Sequence, residues 1–318
     1  MVPDRRPLIV ASWQESGVAW APWRYASALG AAAKLNPSTT AIIMLCAANH
    51  EMENYGLPQS AFFKYGSFDE FLARVSPPDV LHLHHAFAAV SLIPRARIAW
   101  PKTKIVVTIH GEPDRSLGVG GVDPDAFHVV EPRLLELVAS HRAVFIPNHP
   151  ATPPGFVERT GQVFWLPYSH VARFKDHDVA VPLGAELKRR GWTFVQDSRP
   201  RPNKQVREIL AASTVVWIHR QGYYDILSME AWESGCLAMV EEPREMIDSM
   251  LWKKALGFAP EVAPTGALID DGCALDWLLT NASSATVEHN LAGMRHEWTL
   301  ARAGIAWNSF YWSVVEGN

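Results

Sequence analysis

The chain has 318 residues, 48% hydrophobic and 19% charged, with a formal net charge of −4. That is room for two domains with ample cores; it excludes a disordered chain, and the acidic total excludes a global basic field for nucleic acid or anionic lipid. Cys46, Cys236 and Cys273 show no CxxC spacing, which argues against a disulfide framework and a zinc site. The N-terminal apolar stretch is too short for a signal peptide, and no run approaches the ~18–20 apolar residues of a membrane span. A cytoplasmic protein without a transmembrane segment is expected, with peripheral membrane contact left open.

In chain order, apolar strands alternate with helical patterns, which predicts an α/β protein with parallel sheets covered on both faces. RPLIVASW reads as the opening strand, QESGVAWAPW as a loop, and RYASALGAAAKL as a helix stopped by Asn36-Pro37. TTAIIMLCA is a strand, and SFDEFLARV a short helix with Ser67 as its N-cap. DVLHLHHA and KIVVTIHG are buried strands, EPRLLELVAS is helical, and HRAVFIPN and QVFWLPYS close the first half as strands. The junction is placed at Tyr168 to Lys175, where the chain turns polar.

The second half repeats the alternation. VPLGAELKRRG (helix), WTFVQD (strand), NKQVREILAAS (helix) and TVVWIHR (strand) come first. A helix around SMEAWESG, the strand CLAMVEE, a helix REMIDSMLWKKALG and the strand GALID follow, and ALDWLLTN and the stretch from Val287 onward end the chain as helices. Two consecutive βα arrays place a ligand at the carboxyl ends of the strands, in a cleft between domains.

The segment TVVWIHRQGYYDILSMEAWESGCLAMV carries the most chemistry. A buried strand runs through a polar loop into a helix expected to start near Ser228, with Ser228 as cap and Glu230 in the first turn. Such a helix start offers backbone N–H groups and the positive dipole end to a diphosphate. A carboxylate there accepts hydrogen bonds from two adjacent hydroxyls, as on a ribose; the plainer role for Glu230 is to complement the dipole.

This segment resembles the signature of the retaining GT-B glycosyltransferases, glycosyltransferase family 4-like, in which two acids lie eight apart around a glycine-rich loop. The second acid is followed there by Ala and then a small residue and Gly, as in Glu230-Ala231 and Ser234-Gly235. The resemblance implies that Glu230 holds the ribose and that the backbone of Ile226, Leu227 and Ser228 cradles the phosphates. Gly222 stands where the family has its first acid, and Asp225, where a glycine is usual, is the candidate substitute. Gly17 matches the family's glycine loop after the first strand, and His110, after KIVVTI, its donor-contacting histidine. His82, His84 and His85 read as strand and loop residues. VFWLPYSHVARF resembles the hinge, and ARAGIAWNSFYW, with Trp307, the closing helix that crosses back onto the first domain. The family's Gly-Arg and Lys, which neutralise the diphosphate, have no counterpart between Phe174 and Trp192. Arg199, Arg201, Lys204 and Arg220 are the replacements, since loops after strand ends face the ligand side and guanidinium groups bind phosphate bidentately.

The implied fold is α/β, two Rossmann-like doubly wound domains facing across a cleft (GT-B): an acceptor-side domain 1–170, onto which helix 303–318 packs, and a nucleotide-sugar-binding domain 171–302. The implied activity is glycosyl transfer, with a hexose as the sugar, from a nucleoside-diphosphate sugar (a UDP-sugar) to a hydroxyl acceptor with retention. His110 and Asp225 carry the catalytic roles, and the sugar nucleotide is a co-substrate, with neither bound metal nor further cofactor. A nucleotide-sugar epimerase and a non-catalytic nucleotide-sugar-binding relative are the alternatives. Glycan, lipid, small molecule, protein and modified DNA all stay open as acceptor, the basic clusters RARIAWPKTK and SRPRPNK being the features that keep DNA in view.

Overall fold

The computed structural model describes residues 6–14, 20–48, 62–110, 119–149, 163–166, 184–197, 201, 203–218, 226–240, 254, 263–264 and 285–317. They fall into two compact units, 1–147 with 300–318, and 148–299. The junction predicted at Tyr168 to Lys175 lies outside the described residues. The boundary falls earlier, because the strand Val163–Leu166 pairs into the second unit's sheet rather than closing the first.

In the first unit, strands β1 (Ile9–Gln14), β2 (Ile42–Ala48), β3 (Phe63–Tyr65), β4 (Val80–His84), β5 (Lys104–Ile109), β6 (Ala126–Val129) and β7 (Ala143–Phe145) form a parallel sheet in the order β3-β2-β1-β4-β5-β6-β7. This is a doubly wound arrangement whose strand order reverses between β1 and β4. The two faces differ in chemistry because side chains alternate along each strand. Ala11, Trp13, Leu81, Leu83, Ile105, Val107, Ile109, Phe127 and Val129 make one face wholly apolar. It is covered by α2 (Phe68–Arg74), α3 (Ala86–Ala99) and the 3-10 helix Pro132–Val138. The opposite face carries Ser12, His82, His84, Thr108 and His128, all buried, and meets α1 (Trp20–Ala33) and α7 (Leu300–Glu316; α4 to α6 are given below) through Tyr25, Trp307 and Tyr311.

Helix ends follow local chemistry. Ser67 caps α2 as the sequence predicts, accepting from the Glu70 amide at 3.2 Å. Helix α1 begins at Trp20, four residues before Arg24, so the tryptophan-rich segment is helical, with Pro22 in the first turn where no N–H is needed. Sequence reading passed over α3, because Pro94 within it looks like a turn; it overlooked the short strands β3 and β6, and the predicted helix after Glu131 is a 3-10 helix.

In the second unit, β8 (Val163–Leu166), β9 (Thr193–Gln196), β10 (Val215–Ile218), β11 (Leu237–Val240) and β12 (Ala263–Pro264) pair in parallel in the order β12-β11-β10-β8-β9. Strand order reverses between β8 and β10, the other common doubly wound pattern. Helix 184–189 precedes β9, α4 (Asn203–Ala212) precedes β10, α5 (Ile226–Glu233) joins β10 to β11, and α6 (Ala285–His296) packs against α5. Phe164, Trp165, Leu210, Val215, Val216, Met229, Ala231 and Trp232 form the core. The predicted helices at 244–257 and 274–281 and the strand GALID lie essentially outside the described residues.

Candidate functional site

The reversal of strand order in the first unit is spanned by polar side chains. Ser12 on β1 lies 2.9 Å through Oγ from Nε2 of His84 at the end of β4. His84 Nδ1 lies 3.2 Å from Nε2 of His110, the residue after β5, and the ring of His85 is 4.6 Å from that of His110. The structure thus places His110 at the carboxyl edge of the sheet, with His84 and His85 around it. Sequence reading had set those two aside; the available signal was alternation, since His82 and His84 share a face of β4.

Below this group runs a second network. His128 Nε2 lies 3.0 Å from the Ile146 carbonyl, which only accepts, so this nitrogen carries the proton. His128 Nδ1 therefore accepts from the Thr108 hydroxyl at 3.0 Å, Thr108 accepts from His82 Nε2 at 2.6 Å, and the Tyr311 hydroxyl donates to His82 Nδ1 at 2.8 Å. Each imidazole is neutral in this arrangement. Burial, first, and mutual repulsion among the rings hold His82, His84 and His110 well below the usual histidine range, and burial lowers His128 to about 3. Burial likewise raises the Tyr25 phenol and the Tyr311 phenol above the ordinary value.

His85 holds φ +70° and ψ 126°, the one left-handed non-glycine backbone among the described residues. Such strain costs about 1–3 kcal/mol, and here it links β4 to α3 directly beside His110. Replacing His85 by Gly removes the Cβ clash, so His85→Gly is expected to raise stability by about 1 kcal/mol, or a few degrees in Tm. Differential scanning calorimetry reads this; a lowered Tm contradicts it.

In the second unit, α5 follows β10 at the reversal of strand order, the location at which doubly wound sheets bind ligands. The helix starts at Ile226, so Ser228 lies inside it rather than at its cap, and Glu230 falls just beyond the first turn. The backbone N–H groups of Ile226, Leu227 and Ser228 thereby belong to the turn that lacks intrahelical acceptors. Glu230 is 7% exposed, between Met229 and Ala231, both buried. The Ser234-Gly235 pair has a structural use as well: Gly235 at φ +71° ends the helix, with the Cys236 amide reaching back to Ala231 O at 2.7 Å.

Arg201, after β9, pairs with Asp197 at 2.5 Å. Asp197 is buried and also accepts from Trp165 Nε1 at 2.7 Å, so at least part of the Arg201 guanidinium neutralises an internal carboxylate. Lys204 is the second residue of α4. Gly17, Arg199, Arg220 and Asp225 lie outside the described residues. The basic cluster at 95–104 is largely neutralised: Arg95 pairs with Asp69, and Arg97 and Lys104 pair with Asp125.

Comparison with known proteins places this geometry in a fold. Neither a family model nor a curated protein matches the chain. Solved structures do. An α-glucosyltransferase in complex with UDP and a 13-mer DNA containing a HMU base aligns over 98% of this chain and 100% of its own, with TM-score 0.61 and 8% identity. An α,α-trehalose 6-phosphate synthase from Burkholderia multivorans aligns over 98% of both chains, with TM-score 0.57 and 11% identity. A glycosyltransferase from Rickettsia africae covers 99% of this chain and 100% of its own, again with TM-score 0.57 and 11% identity. The fold is that of the GT-B glycosyltransferases. No helix among the described residues is long and apolar enough to cross a membrane.

Proposed function

We propose that the protein transfers a hexose from a UDP-sugar to a hydroxyl acceptor, with retention at the anomeric carbon. The observation that carries this reading is Glu230, a buried carboxylate near the start of a helix that opens at the strand-order reversal of the second sheet. The fold supports it, because enzymes of this architecture include those that bind UDP and UDP-glucose.

In this reading the first-turn amides, Ile226 to Ser228, and the helix dipole hold the diphosphate and stabilise it as it leaves. Glu230 accepts from the two ribose hydroxyls. The bond from the anomeric carbon to the diphosphate oxygen breaks as the acceptor oxygen bonds on the same face. The acceptor's proton passes to the departing diphosphate oxygen, so no separate base is required. His110, neutral in its buried surroundings, hydrogen-bonds a sugar hydroxyl, and Asp225 replaces the acid missing at Gly222. Arg199, Lys204 and Arg220 supply positive charge to the diphosphate, with Arg201 shared with Asp197.

A panel of nucleotide sugars, scored for binding and for slow hydrolysis to free UDP, tests this. Glu230→Ala removes two hydrogen bonds to a charged acceptor, each worth about 1.5–3 kcal/mol, so affinity for UDP-sugar should fall at least about 100-fold. Equal binding by Glu230→Ala, or no binding by the wild type, contradicts the assignment. A binding protein without transfer activity, the alternative that Gly222 favours, would bind the sugar nucleotide and release no UDP when acceptors are supplied.

A further inference from the structure

The three-member chain Ser12–His84–His110 has only one hydrogen arrangement that leaves no buried donor stranded. Ser12 lies in the interior of β1 at 1% exposure, and His84 at the end of β4 is 4% exposed. The Ser12 hydroxyl is 2.9 Å from His84 Nε2 and, among the described residues, makes no other hydrogen bond. If His84 donated to Ser12, the hydroxyl hydrogen would be buried without an acceptor. A stranded donor costs about 1–3 kcal/mol, more than an oxygen with an unused lone pair. Ser12 therefore donates to Nε2. The neutral His84 then carries its proton on Nδ1, and that N–H points at His110 Nε2, 3.2 Å away. The rings also stack at 30°.

We propose that His84 is a positioning residue for His110: anchored by Ser12, it donates to His110 Nε2 and so fixes His110 as the Nδ1–H tautomer. Among the described residues, the rings in contact with His84 are Tyr25, His82 and His110, and His85 lies against His110; none of these is an acid. A histidine with both nitrogens committed in this way sets which nitrogen of its neighbour is protonated, and holds the neighbour's ring in one orientation. The inference rests on the sugar-transfer reading only for its catalytic consequence: His110 meets the donor sugar as a hydrogen-bond donor.

The tautomer is read directly by long-range 1H–15N correlation spectra of protein labelled with 15N-histidine at pH 7.5, with His110 assigned by its loss in His110→Asn. The wild type should show His110 protonated on Nδ1. Asn places its amide nitrogen near the position of the imidazole Nδ1, so His84→Asn should keep this state, whereas His84→Phe should move His110 toward Nε2 protonation. Against a UDP-sugar, His84→Phe should lower kcat about tenfold, the equivalent of one lost hydrogen bond of about 1.4 kcal/mol, with KM little changed, and His84→Asn should restore most of it. His110 protonated on Nε2 in the wild type, or identical His110 signals in wild type and His84→Phe, overturns the proposal. If the wild-type tautomer is as stated but no nucleotide sugar binds, the transfer reading fails and the positioning role stands.

Discussion

Acidification from pH 7.5 to about 4.5 should unfold the first unit, with a midpoint near pH 5. His82, His84, His110 and His128 are neutral within it, and burial depresses all four. A histidine whose pKa is lowered by folding contributes stability that is complete above the unfolded value of ~6.5 and is lost as pH falls toward the folded value, because the unfolded chain takes up the proton first. Each such group loses up to ~1.4 kcal/mol per pH unit, about 5 kcal/mol per unit for four, against a total stability of about 5–15 kcal/mol. Tryptophan fluorescence and near-ultraviolet circular dichroism across the range measure it. Stability that is flat from pH 7 to pH 4 would show that these rings are solvated or already charged.

Gly304→Ala should detach the C-terminal helix from the first unit. Gly304 on α7 faces α1 so closely that an added Cβ would sit 2.0 Å from the Ala28 carbonyl oxygen and 2.9 Å from the Ala32 Cβ. Backbone, rather than a flexible side-chain tip, would have to move. Overpacking of this kind costs about 3 kcal/mol, and separation of the helices would also pull Trp307 from its contacts with Tyr25 at 4.0 Å and His128 at 4.4 Å. Urea unfolding should show the lost stability, and amide hydrogen exchange should localise it to 20–33 and 300–316. A variant as stable as the wild type would mean that the helices separate without cost.

The parallel α/β architecture was legible because the buried strands announce themselves: β1, β4 and β5 are continuous runs rich in Val, Ile and Leu, and polar, glycine- or proline-containing turns separate them. The closing helix was legible through the resemblance of ARAGIAWNSFYW, with Trp307, to the family's last helix, and its place on α1 follows from the close approach at Gly304 and the Trp307–Tyr25 contact. Three things were not legible. Pro94 hides α3, since its missing N–H reads as a break although the helix tolerates it. The early start of α5 at Ile226 shifts Ser228 and Glu230 three places deeper than a Ser228 cap suggests; helix starts are set by the loop before them as much as by the cap residue. The histidine network depends on register between β1, β4, β5 and β6, which one strand's sequence does not contain. Arg201 shows the same limit, since only the fold reveals that Asp197 beside it is buried and needs its charge.

A crystal structure with UDP bound decides whether the start of α5 is the nucleotide site. Diphosphate oxygens should lie within hydrogen-bond distance of the Ile226–Ser228 amides, with both ribose hydroxyls donating to Glu230. UDP seated elsewhere, or a Glu230 carboxylate turned into the core while the nucleotide is bound, would contradict it.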